Sequence, residues 1–265
     1  MSIFRLNVLF LCLLGGLPAC QPDLATDSPV VVTAEPEFRV DAYEQRDSGT
    51  GKATLGLWVE SIAVYECSGY TIESALRQTG QQIEIDLLDV RRPANCAGVS
   101  APARQFVPIG PLAAGTYSFR LTLGKTIVNN GLLTVENECF ALTLSQPQGM
   151  EVQNYKTQHL PDGLLWGYVS VPDEAANEAA QQFISEMKTI TVDGGLWPGY
   201  YSYFTISGTG AIFLHSSIVP TGPVVLFVQK LTASPTELQD LLQRYRSGVQ
   251  QAPLTLRCFS TFGEF

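Results

Sequence analysis

Histidine is almost missing from this chain: 265 residues hold two, His159 and His215. Neither lies near a cysteine, and no CxxC occurs, so the spacing of a zinc site is absent and no metal or other cofactor is expected. HExxH, GxSxG, the phosphate-cradling GxxxxGK[ST] and an acidic calcium loop are missing too, which removes the common signatures of zinc proteases, α/β-hydrolases, P-loop enzymes and EF-hands. Basic residues are few, 16 Lys and Arg against 25 Asp and Glu, for a formal charge of −9. An acidic chain without basic clusters does not suit nucleic acid or the charged surface of an anionic membrane. No apolar run reaches the ~20 residues of a spanning helix. Only 15% of residues are charged while 45% are apolar, so the chain can build a substantial core.

What is present begins at the N-terminus. Residues 1–5 carry one positive charge, residues 6–14 are almost wholly apolar, and Gly15 and Gly16 follow. This is the layout of a secretory signal. It runs into Leu17-Pro18-Ala19-Cys20, which resembles the lipobox of bacterial lipoproteins, with Leu three places before the cysteine and a small residue just before it. Pro18 departs from the usual middle residue of that motif. The resemblance covers only the first twenty residues or so. It implies cleavage after Ala19, lipidation of Cys20, and anchoring to a membrane of the cell envelope by two or three acyl chains, which hold a protein where one chain does not. Gln21, rather than an acid, follows the cysteine, which in Gram-negative lipoproteins points to the outer membrane. Residues 20–37 then form the lipidated cysteine and an extended spacer rich in Pro, Thr, Ser and acids. Without residues 1–19 the chain loses Arg5 alone, leaving 15 basic against 25 acidic residues, a charge of −10.

Cys12 leaves with the leader and Cys20 takes lipid, so Cys67, Cys96, Cys139 and Cys258 remain. An even number in an exported protein reads as disulfides, and four cysteines allow three pairings. Cys67 with Cys96 is the favoured pair, which by elimination joins Cys139 to Cys258.

Residues 38–147 read as short strands between turns. In QQIEIDLLDV, Ile83, Ile85 and Leu87 alternate with Glu84 and Asp86; in GTYSFRLTLG, Tyr117, Phe119, Leu121 and Leu123 alternate with polar residues. That is the period of half-buried strands, and it predicts a β-sandwich. The LAAGTYSFRLTL…GLLTV ending resembles the last strands of immunoglobulin-like domains of bacterial surface proteins, a resemblance that implies a fold and no function. CFALTLSQ, residues 139–146, fits either the end of this domain or the start of the next.

From residue 160 to 265 the period changes. DEAANEAAQQFISEMKTI predicts a helix with Asp173 as N-cap and Ala176, Ala180, Phe183, Met187 and Ile190 on its apolar stripe. SPTELQDLLQRYRSG predicts a second, capped by Ser234, with Glu237 closing a capping box, Leu238, Leu241, Leu242 and Tyr245 inward, and Gly248 as the stop. With strands before, between and after, the order predicts an α+β ferredoxin-like domain, one strand enlarged. The expected architecture is therefore an all-β immunoglobulin-like sandwich followed by an α+β ferredoxin-like sandwich.

No catalytic residues emerge. Each histidine reads as a surface or hinge residue. Ser185-Glu-Met-Lys188 matches the SxxK of penicillin-binding proteins without its partner motifs, so it carries no weight. Carboxylates are plentiful but cannot be paired from sequence. Aromatic residues are more informative. Counting alternation along GLLWGYVSV, YYSYFTI, PVVLFVQ and LTLRCFSTF places Trp166, Tyr168, Tyr201, Tyr203, Phe227 and Phe259 on the sheet face opposite the helices. Leu165, Val169, Phe204, Ile206, Val224, Leu226, Val228, Leu254, Leu256 and Cys258 then face the helices. The GGLWPGYY loop adds Trp197 and Tyr200. So many rings on one face are either covered, by the first domain or a second copy, or used to stack on a sugar or grip a peptide. The expected role is thus non-catalytic binding or assembly with a glycan, peptide or protein partner. A hydrolase acting on glycan or peptide is the alternative.

Overall fold

A computed structural model describes residues 34–47, 50–96, 98–215, 222–248 and 254–265. The leader, Cys20 and spacer residues 21–33 lie outside the described residues. In chain order the strands are β1 Phe38–Arg46, β2 Ala53–Tyr65, β3 Thr71–Thr79, β4 Gln82–Arg91, β5 Ala101–Gly110, β6 Gly115–Leu123, β7 Ile127–Val135, β8 Cys139–Ser145, β9 Met150–Val152, β10 Lys156–Gln158 and β11 Leu164–Ser170. Helix α1 spans Glu174–Ile190. Then come β12 Thr191–Val192, β13 Gly199–Tyr201, β14 Phe204–Ile206, β15 Ile212–Leu214 and β16 Val224–Leu231, helix α2 Pro235–Ser247, and β17 Leu256–Ser260 and β18 Gly263–Glu264.

The alternating segments pair as the period requires. Ile83, Ile85 and Leu87 of β4 and Tyr117, Phe119 and Leu121 of β6 are buried, against Val40 and Ala42 of β1 and Leu57 and Val59 of β2. They fill a β-sandwich between a four-stranded sheet, ordered β5-β2-β1-β9, and a nine-stranded sheet, ordered β15-β14-β13-β10-β8-β7-β6-β4-β3. The β4–β6 and β1–β9 pairs are parallel, whereas immunoglobulin sheets are antiparallel. The likeness to that fold therefore extends to the layering and not to the strand order. β8 pairs with β7 and β10, so residues 139–146 belong to the sandwich.

A third sheet, β12-β16-β11-β17-β18, carries both helices on one face. Asp173 caps α1, accepting from the Ala176 amide at 2.8 Å. Ser234 and Glu237 form the reciprocal capping box of α2, and Gly248 ends it in the left-handed conformation at φ 66°. Caps of this kind are each worth ~1 kcal/mol. Phe183 of α1 is wholly buried beside Tyr245 of α2 and Phe227 of β16.

The second half of the chain does not belong to the α+β layer throughout. Between β12 and β16 the chain leaves the helical layer, and β13 joins β10 of the nine-stranded sheet in parallel. A single ladder thus runs across the boundary expected between residues 147 and 160. Only two helices occur among the described residues, and the architecture is mostly strand.

The cysteines divide in the same way. Cys67 and Cys96 form a disulfide. Cys139 and Cys258 are free and buried, contrary to the expected bond. Cys139 opens β8 in the nine-stranded sheet, with Sγ 3.1 Å from Glu136 Oε2. Cys258 lies on β17 among the residues under the helices. β8 does not neighbour β17, which removes the adjacency that a bond would need.

Candidate functional site

The site is built on the outer face of β1 and β2. In FRVDAYEQR, Phe38, Val40 and Ala42 turn into the sandwich, so Arg39, Asp41 and Tyr43 turn outward. The β1–β2 register sets Asp41 opposite Trp58 and Arg39 opposite Glu60. Gly56, opposite Tyr43, leaves room for the Phe106 ring, whose nearest atom would lie 2.4 Å from an added Cβ.

The ladder from β1 to β9 stops at Val40. Beyond it, side chains take over the open edge of β1. Thr157 Oγ1 donates to the Ala42 carbonyl at 2.7 Å, the Glu44 amide donates to Ser202 Oγ at 2.7 Å, and the Arg46 amide donates to Tyr203 Oη at 3.0 Å. A buried backbone group left unpaired costs ~1–3 kcal/mol, so these bonds fix β10 and the β13–β14 turn onto β1. Below that turn Glu44, 1% exposed, accepts from Arg46 Nε at 2.7 Å and lies 2.8 Å from His159 Nδ1. Arg46 also donates to the Leu160 carbonyl at 2.7 Å. His159, expected as a hinge or surface residue, is half-buried and hydrogen-bonded to Glu44, in a polar network that ties β1 to the segment before β11.

Between these walls lies a cleft of about 700 Å³, within the ~300–1,000 Å³ of ligand sites. Arg39, Asp41, Tyr43, Trp58, Glu60 and Arg104 form its floor. Gln153, Asn154, Tyr200, Tyr203, Thr205 and His215 form one wall, and Trp166 and Phe259 close it from the five-stranded sheet. Tyr43 stacks on Trp58 at 5.3 Å and meets Tyr203 edge-on at 5.5 Å.

Both arginines of the cleft are paired with carboxylates. Glu60 Oε2 accepts from Arg104 Nε at 2.5 Å, and Arg39 Nε donates to Glu151 at 2.9 Å. Asp41 is 4% exposed, and burial pushes its carboxyl up to about 6, against the lowering effect of bonds from Asn154. Those bonds run from the Asn154 amide to Oδ1 at 2.5 Å and from Nδ2 to Oδ2 at 2.9 Å. Burial, and then the charges of Asp41 and Glu60, push the Tyr200 phenol up. His215 stacks on Tyr200 at 4.7 Å, lies 2.6 Å from Thr205 Oγ1, and is held below its ordinary pKa by burial.

The expected aromatic face is only partly one surface. Trp166 and Phe259 stack at 6.2 Å on the side away from the helices, with Tyr203 4.9 Å from the indole. Alternation along β11 puts Tyr168, 5% exposed, on the side of Trp166. Tyr201 is buried with Trp166 and Phe204, and its ring stacks on Phe204 at 5.0 Å. Phe204 was expected under the helices. It is not there because Ser202 and Tyr203 form a turn, and alternation does not carry across a turn. Phe227 is a second correction. It faces the helices, opposite Gly167, where an added Cβ would come within 2.8 Å of its ring. Val228 packs on the other side. Trp197 is 74% exposed and lines none of this, while its neighbour Tyr200 does. Sequence reasoning missed the floor altogether, although Tyr43 and Trp58 at outward positions were a readable signal.

No protein-family model, curated protein or solved structure matches this chain.

Proposed function

We propose that this chain is a lipid-anchored protein of the cell envelope, by expectation the outer membrane, whose cleft binds a glycan. The observation that carries the binding reading is the joining of rings and planar polar groups in one concave site. Tyr43, Trp58, Trp166, Tyr203 and Phe259 offer apolar faces, and Asp41, Glu60, Arg39, Arg104 and Asn154 offer carboxylate, guanidinium and amide groups. Rings fit the C–H faces of a sugar, and planar donors and acceptors fit its hydroxyls. Both arginines are already paired, Arg104 with Glu60 and Arg39 with Glu151, so a ligand of little net charge suits the cleft better than a strongly charged peptide.

The anchor reading rests on the run before Cys20. Among the described residues no helix is long and apolar enough to cross a membrane. A ferredoxin-like reading of the helical layer draws support from its order: β11, α1, β12, then β16, α2, β17, with the sheet antiparallel and β11 between β16 and β17. On that reading β13–β15 is an insertion that reaches the sandwich and builds one wall of the cleft.

The test uses full-length protein in detergent and follows tryptophan fluorescence during titration with soluble cell-wall oligosaccharides and, separately, peptides. Saturable quenching by an oligosaccharide is expected, weakened at least 10-fold by Trp58→Ala with the melting temperature little changed. No response to any oligosaccharide, or saturation by peptides alone, overturns the reading.

A further inference from the structure

We propose that the cleft also cleaves the glycan it holds, with Asp41 as general acid and Glu60 as general base. This rests on the glycan reading of the same cleft. The carboxylates share the outward face of adjacent antiparallel strands, and the register makes them diagonal neighbours, since Asp41 faces Trp58 and Glu60 lies two residues beyond. The Cα atoms of diagonal cross-strand positions lie roughly 7–8 Å apart, and both side chains line the cleft. In glycosidases that invert the anomeric centre a water stands between the two carboxyl groups, and that is the course proposed here. Trp58 stands opposite Asp41 and two residues from Glu60 on the same face of the sheet, where a sugar bound against the rings lies within reach of both acids.

Their surroundings differ in the way two roles require. Asp41 is buried, its plane fixed by the Asn154 amide and Nδ2, and burial lifts its carboxyl to about 6, so that the acid form is well populated in mildly acidic solution. Glu60 is more open and is oriented by Arg104 on Oε2, which assigns Oε1 to the water. In the step, Asp41 gives its proton to the glycosidic oxygen as the bond from that oxygen to the anomeric carbon breaks. Water bonds to the anomeric carbon from the opposite side and loses a proton to Glu60. The products are a hemiacetal of inverted configuration and an alcohol, and proton exchange with solvent restores both acids. Water is the sole co-reactant.

Full-length protein is incubated with the oligosaccharides used for binding, reducing ends are counted, and the anomer is read by NMR. Cleavage with inversion is expected, falling as pH rises through about 6 as the acid is lost. Asp41→Asn and Glu60→Gln are each expected to lose at least 100-fold in rate at saturating oligosaccharide. Glu60→Gln is the second arm in case the Asp41 variant fails to fold. Binding by the wild type without new reducing ends overturns this proposal and leaves the binding reading standing. Absence of binding defeats both. Cleavage undiminished in Glu60→Gln, or retention of configuration, also overturns it.

Discussion

The indole of Trp166 and the ring of Tyr203 lie 4.9 Å apart, and this contact joins two sheets. Trp166 belongs to the five-stranded sheet, and Tyr203 sits on the turn that is hydrogen-bonded to β1. With Phe259 behind Trp166 and Tyr43 and Trp58 beyond Tyr203, a continuous file of rings passes from one sheet to the other. The rings that wall the cleft are thus also those that hold its sides together.

Trp166→Ala is therefore expected to act on stability first. The side chain is 4% exposed, and truncating such a ring costs ~3–5 kcal/mol. For a chain of this size that lowers the melting temperature by on the order of 10 °C. Tyr203→Ala removes a ring and the acceptor of the Arg46 amide, and is also expected to destabilise. Trp58, half-buried on the floor, is expected to lose binding with little loss of stability. Calorimetry of the three variants beside fluorescence titration checks this. Wild-type melting in both Trp166→Ala and Tyr203→Ala would show that the file of rings does not join the sheets.

Much of this was legible in the sequence because the signals were local. Strand alternation in β4 and β6, both helix stripes and both caps follow from periods and spacings within twenty residues. What failed was long-range. The YYSYFTI segment reads as one strand, yet it is a hairpin, and the fault moved Phe204 to the wrong face. Phe227 turned over with β16, which puts Val225 and Phe227 under the helices and Val228 on the other side, and Gly167 on the neighbouring strand leaves room for the ring. The pairing of β13 with β10 is set by side chains of residues 202 and 203 reaching β1, about 157 positions away, and no local pattern encodes that. The acid pair stayed hidden for a similar reason: Asp41 and Glu60 meet through a register and not through a motif.

Thiol chemistry tests the separation of β8 from β17. Peptides mapped without reduction are expected to contain Cys67 linked to Cys96, and Cys139 and Cys258 unlinked. In the native protein Cys258 is expected to resist alkylation, since it is fully buried and burial pushes its thiol up to about 12; reactivity follows the exposed thiolate. Denaturation is expected to release two reactive thiols from these positions. Recovery of a Cys139–Cys258 peptide would contradict the sheet assignment.

The anchor is tested by fractionation. Cys20→Ser is expected to prevent acylation and move the protein from the membrane pellet to the soluble fraction, because acyl chains, and not a spanning segment, are proposed to hold it. A variant that remains in the pellet in high salt, with its leader removed, would defeat the lipoprotein reading.

The pH dependence of stability isolates Asp41. Its carboxyl titrates near 3.8 when unperturbed and at about 6 in the fold. Above pH 6 the folded chain holds a buried charge at a cost, and below pH 4 both folded and unfolded chains bind the proton, so the cost disappears. Between those limits the folded state binds more protons than the unfolded one, and the contribution of Asp41 to stability falls as pH rises. The separation of the two values corresponds to on the order of 3 kcal/mol. Asp41→Asn cannot titrate there, and whatever its altered bonds to Asn154 cost is the same at each pH. The stability of the wild type relative to Asp41→Asn is therefore expected to improve by ~2–3 kcal/mol from pH 7 to pH 4, measured by urea unfolding at four pH values. A difference that stays constant over that range would mean that Asp41 titrates as an ordinary exposed carboxyl, and the buried acid assigned to the cleft would not exist.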